Sequence, residues 1–161
     1  MKYEEFKKEY EKARKQHSLP SIDELNNEFN LQFSINKLDE MPLKLADFII
    51  GQQLDFFGGY LNWTYSLIYG SPQSGIVNKE ASFLNEKEKK QLVKTMYKIT
   101  AITRLSPSIY LEESEKKYEW ITKLLKQWLE LKPQLLSLSQ KIRTNWETTH
   151  VEYDPEKEFF G

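Results

Sequence analysis

The stretch Pro42–Gly70, PLKLADFIIGQQLDFFGGYLNWTYSLIYG, decides the fold. It is the most apolar and aromatic part of the chain. At 100° per residue, one side collects Leu43, Leu45, Ile49, Ile50, Leu54, Phe56, Phe57, Tyr60, Leu61, Trp63, Leu67 and Ile68. That arc covers about half the circumference, wider than the roughly 100° stripe of an ordinary surface helix. A helix of this kind must touch several neighbours at once. The spacing therefore predicts a long central helix over about 41–69, serving as the hub of an all-α bundle of five to six helices in a single domain.

The opposite side of the same helix reads differently. Lys44, Asp47, Gly51, Asp55, Gly58, Gly59, Asn62 and Ser66 recur at threes and fours, interrupted by Phe48 and Tyr69. Two adjacent glycines inside a helix cost about 1 kcal/mol each relative to alanine. They imply a bend, a close approach of another backbone or a ligand. Within the apolar arc, Thr64 can bond the carbonyl one turn back, whereas the Gln53 amide needs partners from a neighbouring helix.

The central stretch is long enough to span a bilayer, but the window Leu43–Leu61 contains Lys44, Asp47, Gln52, Gln53 and Asp55. A central Asp alone costs about 2.5–3.5 kcal/mol on an insertion scale, so no membrane span is expected.

Around this hub the chain offers shorter amphipathic segments. Tyr3, Phe6, Tyr10 and Ala13 predict a helix over 3–17 with one narrow apolar face. Ser21 and Glu24 have capping-box spacing and open a short helix to Phe29. Phe29, Leu31, Phe33 and Ile35 then alternate with polar residues, which predicts an extended connector. The run Gly70–Gly75 is the clearest loop and the expected site of internal mobility. Asn85 and Glu88 offer a second, weaker capping pair for a helix over 86–104, ended by Ser106-Pro107. Trp120, Ile121, Leu124, Leu125, Trp128 and Leu131 predict a helix over 112–131. Lys132-Pro133 is expected to break it and start a last helix with Leu135, Leu138, Ile142 and Trp146 inward. The helical domain is thus expected to cover 1–146, followed by an acidic, flexible tail over 147–161.

The chain has 161 residues and a net charge of −1, with no cysteine. That length suits one self-sufficient core. The missing thiols exclude disulfides and cysteine chemistry and fit a reducing, cytoplasmic setting. The opening MKYEEFKKEY has no apolar run, so no secretory signal is expected.

Few groups are suited to catalysis. There are two histidines. Glu147 and His150 form one Glu-x-x-His, whereas a carboxylate-bridged di-metal bundle needs two, with further inward glutamates. Asp47 and Asp55 lie about 12 Å apart by helical rise, too far to share a proton. No catalytic, cofactor-binding or metal-binding residue is expected, and the chain is not expected to be an enzyme.

Two functional readings remain. The first is a helical protein–protein interaction or assembly module, self-associating as a homodimer or docking another protein. Its candidate residues are Gly51, Asp55, Gly58 and Asn62 on the small-residue strip, and Phe159 and Phe160 in the tail. The alternative is a nucleic-acid-associated protein. Lys87, Lys90, Lys94 and Lys98 form a stripe on one helical face, with Lys79 before it and Arg104 after it. Such lysines suit phosphate contacts but do not read bases. Trp120, Trp128 and Trp146 follow the core period and are expected to be buried.

Overall fold

Alternating apolar turns and the absence of any internal proline let residues 45–69 run as one helix. In the computed structural model, which describes residues 3–40, 42, 44–71 and 73–149, this helix is α4 (Leu45–Tyr69). It follows α1 (Tyr3–His17), α2 (Ile22–Phe29) and α3 (Leu31–Ile35), and precedes α5 (Gly75–Ser82), α6 (Glu86–Arg104), α7 (Ser106–Leu111) and α8 (Ser114–Thr148). The described residues contain no strand, and six of these helices have eight residues or more. The fold is an all-α, single-domain bundle in which α4 packs against α2, α3, α5, α6 and α8.

The apolar arc of α4 is satisfied from two sides. Ile49, Ile50, Leu54 and Phe57 sink into a main core shared with Phe6 and Tyr10 of α1, Leu25 and Phe29 of α2, Ile99 of α6 and Ile121, Leu124 and Trp128 of α8. Leu67 joins a smaller core at the other end with Leu84, Leu92 and Ile142. Trp63 packs against both. Gln53 is fully buried, and its Nε2 donates to the Ile121 carbonyl of α8 at 3.1 Å. The Thr64 hydroxyl donates one turn back to Leu61 O at 3.0 Å.

α8 straps both cores and is pinned by paired polar side chains at successive points along its length. Three indole N–H groups donate to carboxylates of other segments: Trp120 to Glu112 at 3.2 Å, Trp128 to Glu28 of α2 at 2.7 Å and Trp146 to Glu80 of α5 at 3.0 Å. Three lysines add ion pairs to them. Lys117 pairs with Asp47 of α4 at 2.9 Å, Lys132 with Glu28 at 2.8 Å and Lys141 with Glu88 of α6. All three tryptophans are mostly buried, as their period predicts: Trp128 is 3% exposed, and Trp120 and Trp146 are half-buried against the main and the smaller core. An indole can bury its ring while its N–H reaches a polar partner at the rim.

Three expectations are corrected. Residues 29–35 are not an extended connector. Asn30 takes the left-handed conformation, with φ 52°, and its N–H bonds Asn26 O at 2.8 Å, which ends α2. The Asn26 side chain then accepts from Gln32 N at 2.7 Å and starts α3. Leu31 and Ile35 are an i, i+4 buried pair, while Phe33 lies outside under the Lys37 ammonium, 3.8 Å from its ring centre. The period-two reading came from a helix end followed by one helical turn.

Pro133 does not divide the last helix; α8 runs through it for 35 residues. A proline inside a helix leaves the carbonyl four residues back without its donor. Here Leu129 and Pro133 both face outward, so that carbonyl lies on the wet side. Burial of Leu124, Leu125, Trp128 and Leu131 before the proline, and of Leu135 and Ile142 after it, holds both halves in one axis. For the same reason the expected boundary at 147 shifts. Glu147 and Thr148 are helical, and His150 to Gly161 lie outside the described residues.

The loop after Gly70 is also tighter than expected. Asn78 of α5 accepts from Ser71 N and donates to Ser71 O, both at 2.9 Å. Gly70 is at φ +69°, and a Cβ there would meet Asn78 Oδ1 at 2.5 Å, so only glycine fits. α5 itself was not anticipated; its signal was Ser74, which caps Val77 N at 3.3 Å. The other caps follow the sequence more closely. Asn85 and Glu88 form a full capping box on α6. Ser21 accepts from Glu24 N at 3.1 Å without the reciprocal bond.

The Glu28 pin carries a pH dependence. Burial raises its carboxyl, but hydrogen bonds from Lys132 and Trp128 and the Lys132 charge outweigh that and hold it below the ordinary value of 4.5. A carboxylate held low stabilises the fold above its unfolded pKa and loses that contribution as pH falls through the folded pKa. Glu28→Gln is expected to cost about 1–2 kcal/mol at neutral pH, as loss of hydrogen bonds to a charged group, and to flatten the acid limb of the stability curve. Urea midpoints measured from neutral pH to below 4.5 check both; an unchanged acid limb would remove Glu28 from this role.

Candidate interaction surfaces

The two groups of sequence-predicted residues that fall within the described structure lie on the outward faces of α4 and α6. On α4 the small-residue strip divides into a covered end and an open end. At the covered end, Asp47 is paired with Lys117, whose side chain is 8% exposed. A Cβ at Gly51 would lie 3.4 Å from the Tyr110 hydroxyl of α7. That phenol is raised above its ordinary pKa by burial and by the charges of Asp55 and Asp47.

From Asp55 onward the strip is open. Asp55, Gly59, Asn62, Tyr65 and Tyr69 are exposed, at spacings of four and three, and Gly58 lies at the edge of the same strip. A Cβ built on Gly58 or Gly59 meets nothing within 4 Å. α4 remains helical through both glycines, so the pair does not interrupt the helix, and no other described segment packs against it. The Tyr65 and Tyr69 rings contact each other in a tilted arrangement, with centroids 4.6 Å apart. Gly51, Asp55, Gly58 and Asn62 therefore share one helix face, but only the last three belong to its uncovered part.

On α6 the four predicted lysines Lys87, Lys90, Lys94 and Lys98 are all exposed. Opposite them Leu92, Thr95, Met96, Ile99 and Ile102 are buried. On α8, Lys116 pairs with Glu113, Lys117 with Asp47 and Lys123 with Glu119, while Lys126 is exposed and makes no ion pair with another described residue. Lys79 lies over the Phe83 ring on α5. Phe159 and Phe160 lie outside the described residues, as does His150 of the Glu-x-x-His spacing.

Sequence reading missed three exposed aromatics that matter here: Tyr97 on α6 and the Tyr65–Tyr69 pair on α4. Their positions carried the signal. Tyr97 is three residues from Lys94 and seven from Lys90, hence on the lysine face. Tyr65 and Tyr69 continue the small-residue strip at the same spacing.

A groove of about 480 Å³ between α4, α5 and α8 is lined by Tyr60, Trp63 and Trp128. Its charged rim is paired: Lys132 with Glu28, Arg143 with Glu147, and Glu80 with the Trp146 indole. Among the described residues no group of three or more His, Asp or Glu is placed to hold a metal ion, and no helix is long and apolar enough to cross a membrane. Comparison with protein-family models, curated proteins and solved structures finds no match.

The open strip has a direct energetic test. With free space around both glycines, Gly58→Ala is expected to raise stability by about 0.5–1 kcal/mol, because alanine fits helical φ, ψ and restricts the unfolded chain. Chemical denaturation of the dilute protein reads this; a loss of stability would mean that the glycine face is occupied.

Proposed function

We propose that this chain is an assembly module rather than an enzyme, and that it pairs with a second copy of itself through the open face of α4. The observation that carries this reading is the glycine pair. Gly58 and Gly59 weaken a helix against which no other described residue packs at these positions, and the exposed Tyr65–Tyr69 pair continues the same face. An approaching backbone is the partner for which missing side chains are useful.

The strip is self-complementary, as a two-fold interface requires. An antiparallel crossing centred between Gly58 and Gly59 sets Asp55 of one copy opposite Asn62 of the other, a carboxylate acceptor against an amide donor. Support for a non-catalytic role comes from the buried polar groups. Gln53, Lys117 and Asp47 are engaged in bonds that tie α4 to α8.

Gly59→Leu tests the reading because fold and assembly should respond in opposite directions. Leucine is the better helix former by about 0.5–1 kcal/mol, so the unfolding midpoint should hold or rise. Its side chain should keep the two backbones apart, so sedimentation velocity should change from dimer to monomer. A native chain that sediments as a monomer up to hundreds of micromolar, a binding free energy weaker than about −5 kcal/mol, would overturn self-assembly through this face.

A further inference from the structure

The outward face of α6 holds a pattern that pairing through α4 does not use. At 100° per residue, Lys87, Lys90, Lys94, Lys98 and Arg104 fall within an arc of about 120°. All five are exposed, and none makes an ion pair or side-chain hydrogen bond to another described residue. Of the two acids of this helix, Glu88 is turned toward Lys141 and the Asn85 amide, and Glu86 stands at the first turn, on the N-terminal edge of the strip, 4.0 Å from Lys89. The face therefore carries a row of cations about 25 Å long by helical rise, without a carboxylate between Lys87 and Arg104.

Within that row stands Tyr97, 63% exposed. Its ring makes no contact with another described aromatic ring. A tyrosine held in water among cations has little to gain from its own fold. It offers a flat π-face flanked by positive charge, the combination by which proteins hold single strands: backbone phosphates on the cations, a base on the ring. A duplex hides its base faces, and these side chains lie on the flank of a helix whose two ends are joined to neighbouring segments. A lipid surface would call for several apolar side chains on the arc, and Ala101 is the only other apolar residue there.

We propose that the outward face of α6 binds single-stranded nucleic acid, with Lys87, Lys90, Lys94, Lys98 and Arg104 along the phosphates and Tyr97 stacked under a base. Fluorescence anisotropy with labelled oligo-dT and oligo-rU, the matching duplex, heparin and phosphatidylserine vesicles tests this on the full chain. Binding to the single strands should weaken with salt, at a slope of about −0.7 per phosphate neutralised. The double variant Lys90→Glu, Lys94→Glu should lower single-strand affinity more than tenfold and reduce that slope. Tyr97→Ala should lower it about tenfold and leave heparin binding unchanged, while Tyr97→Trp retains it. All these side chains are exposed, so circular dichroism should show intact folds. The proposal is overturned by no single-strand binding at low salt, by tighter binding of duplex or vesicles, or by a Tyr97→Ala effect that is absent or equal for heparin. Because no residue of the α4 face is altered, sedimentation of the same variants reports on assembly separately.

Discussion

The crossing of α8 over α4 at Trp128 is the contact on which the rest of the molecule depends. The ring lies among Phe29, Phe56, Phe57 and Tyr60, with centroids 4.8 to 6.3 Å away and tilted to edge-on geometry. Its N–H is bonded to Glu28, which also holds Lys132. One side chain thereby joins α2, α4 and α8. Aromatic pairs in such geometry add to the burial of their area. Because the apolar arc of α4 spans half its circumference, no single neighbour can cover it. A long strap fixed at the middle, with shorter helices on either side, does.

The same arrangement explains why function is sought on surfaces. Several polar groups that enter the interior join segments: the Gln53 Nε2 to the Ile121 carbonyl, Lys117 to Asp47, Glu28 to Trp128 and Lys132. What the bundle leaves unspent lies outside. It is the half of the α4 strip beyond Asp55, where two glycines have nothing against them, and the face of α6, where cations stand without acids. The two faces differ in chemistry. The first is small and nearly neutral, suited to a close backbone; the second is charged and carries one ring, suited to a polyanion with flat bases.

Much of this was legible in the sequence where a single period dominates. The boundaries of α1 and α6 and the C-terminal end of α4 follow from apolar spacing together with a cap, a glycine or a proline. The failures have local physical causes. Asn30 adopts a backbone conformation that most residues avoid, so two helical turns looked like alternation. Pro133 is tolerated because the carbonyl it orphans faces water, and a proline read alone does not reveal which way its helix is turned. The tryptophans of α8 were read as core by period, but Glu112, Glu28 and Glu80, which bond them, are distant in sequence or carry no pattern. On the surfaces, the lysine row was legible and Tyr97 within it was not, since an aromatic on a helix is ordinarily assigned to the core. Whether Gly58-Gly59 marks a bend, an internal seam or an open face depended on where the neighbouring helices stop.

If α4 is the enclosed hub and α8 the strap that fixes it, native-state hydrogen exchange should rank the helices accordingly. The slowest amides should lie in Ile49–Phe57 and Ile121–Leu131, exchanging only on global unfolding, with α5 and the ends of α8 opening far sooner. Exchange of Ile49–Phe57 as fast as that of Gly75–Ser82 would contradict the account at its centre.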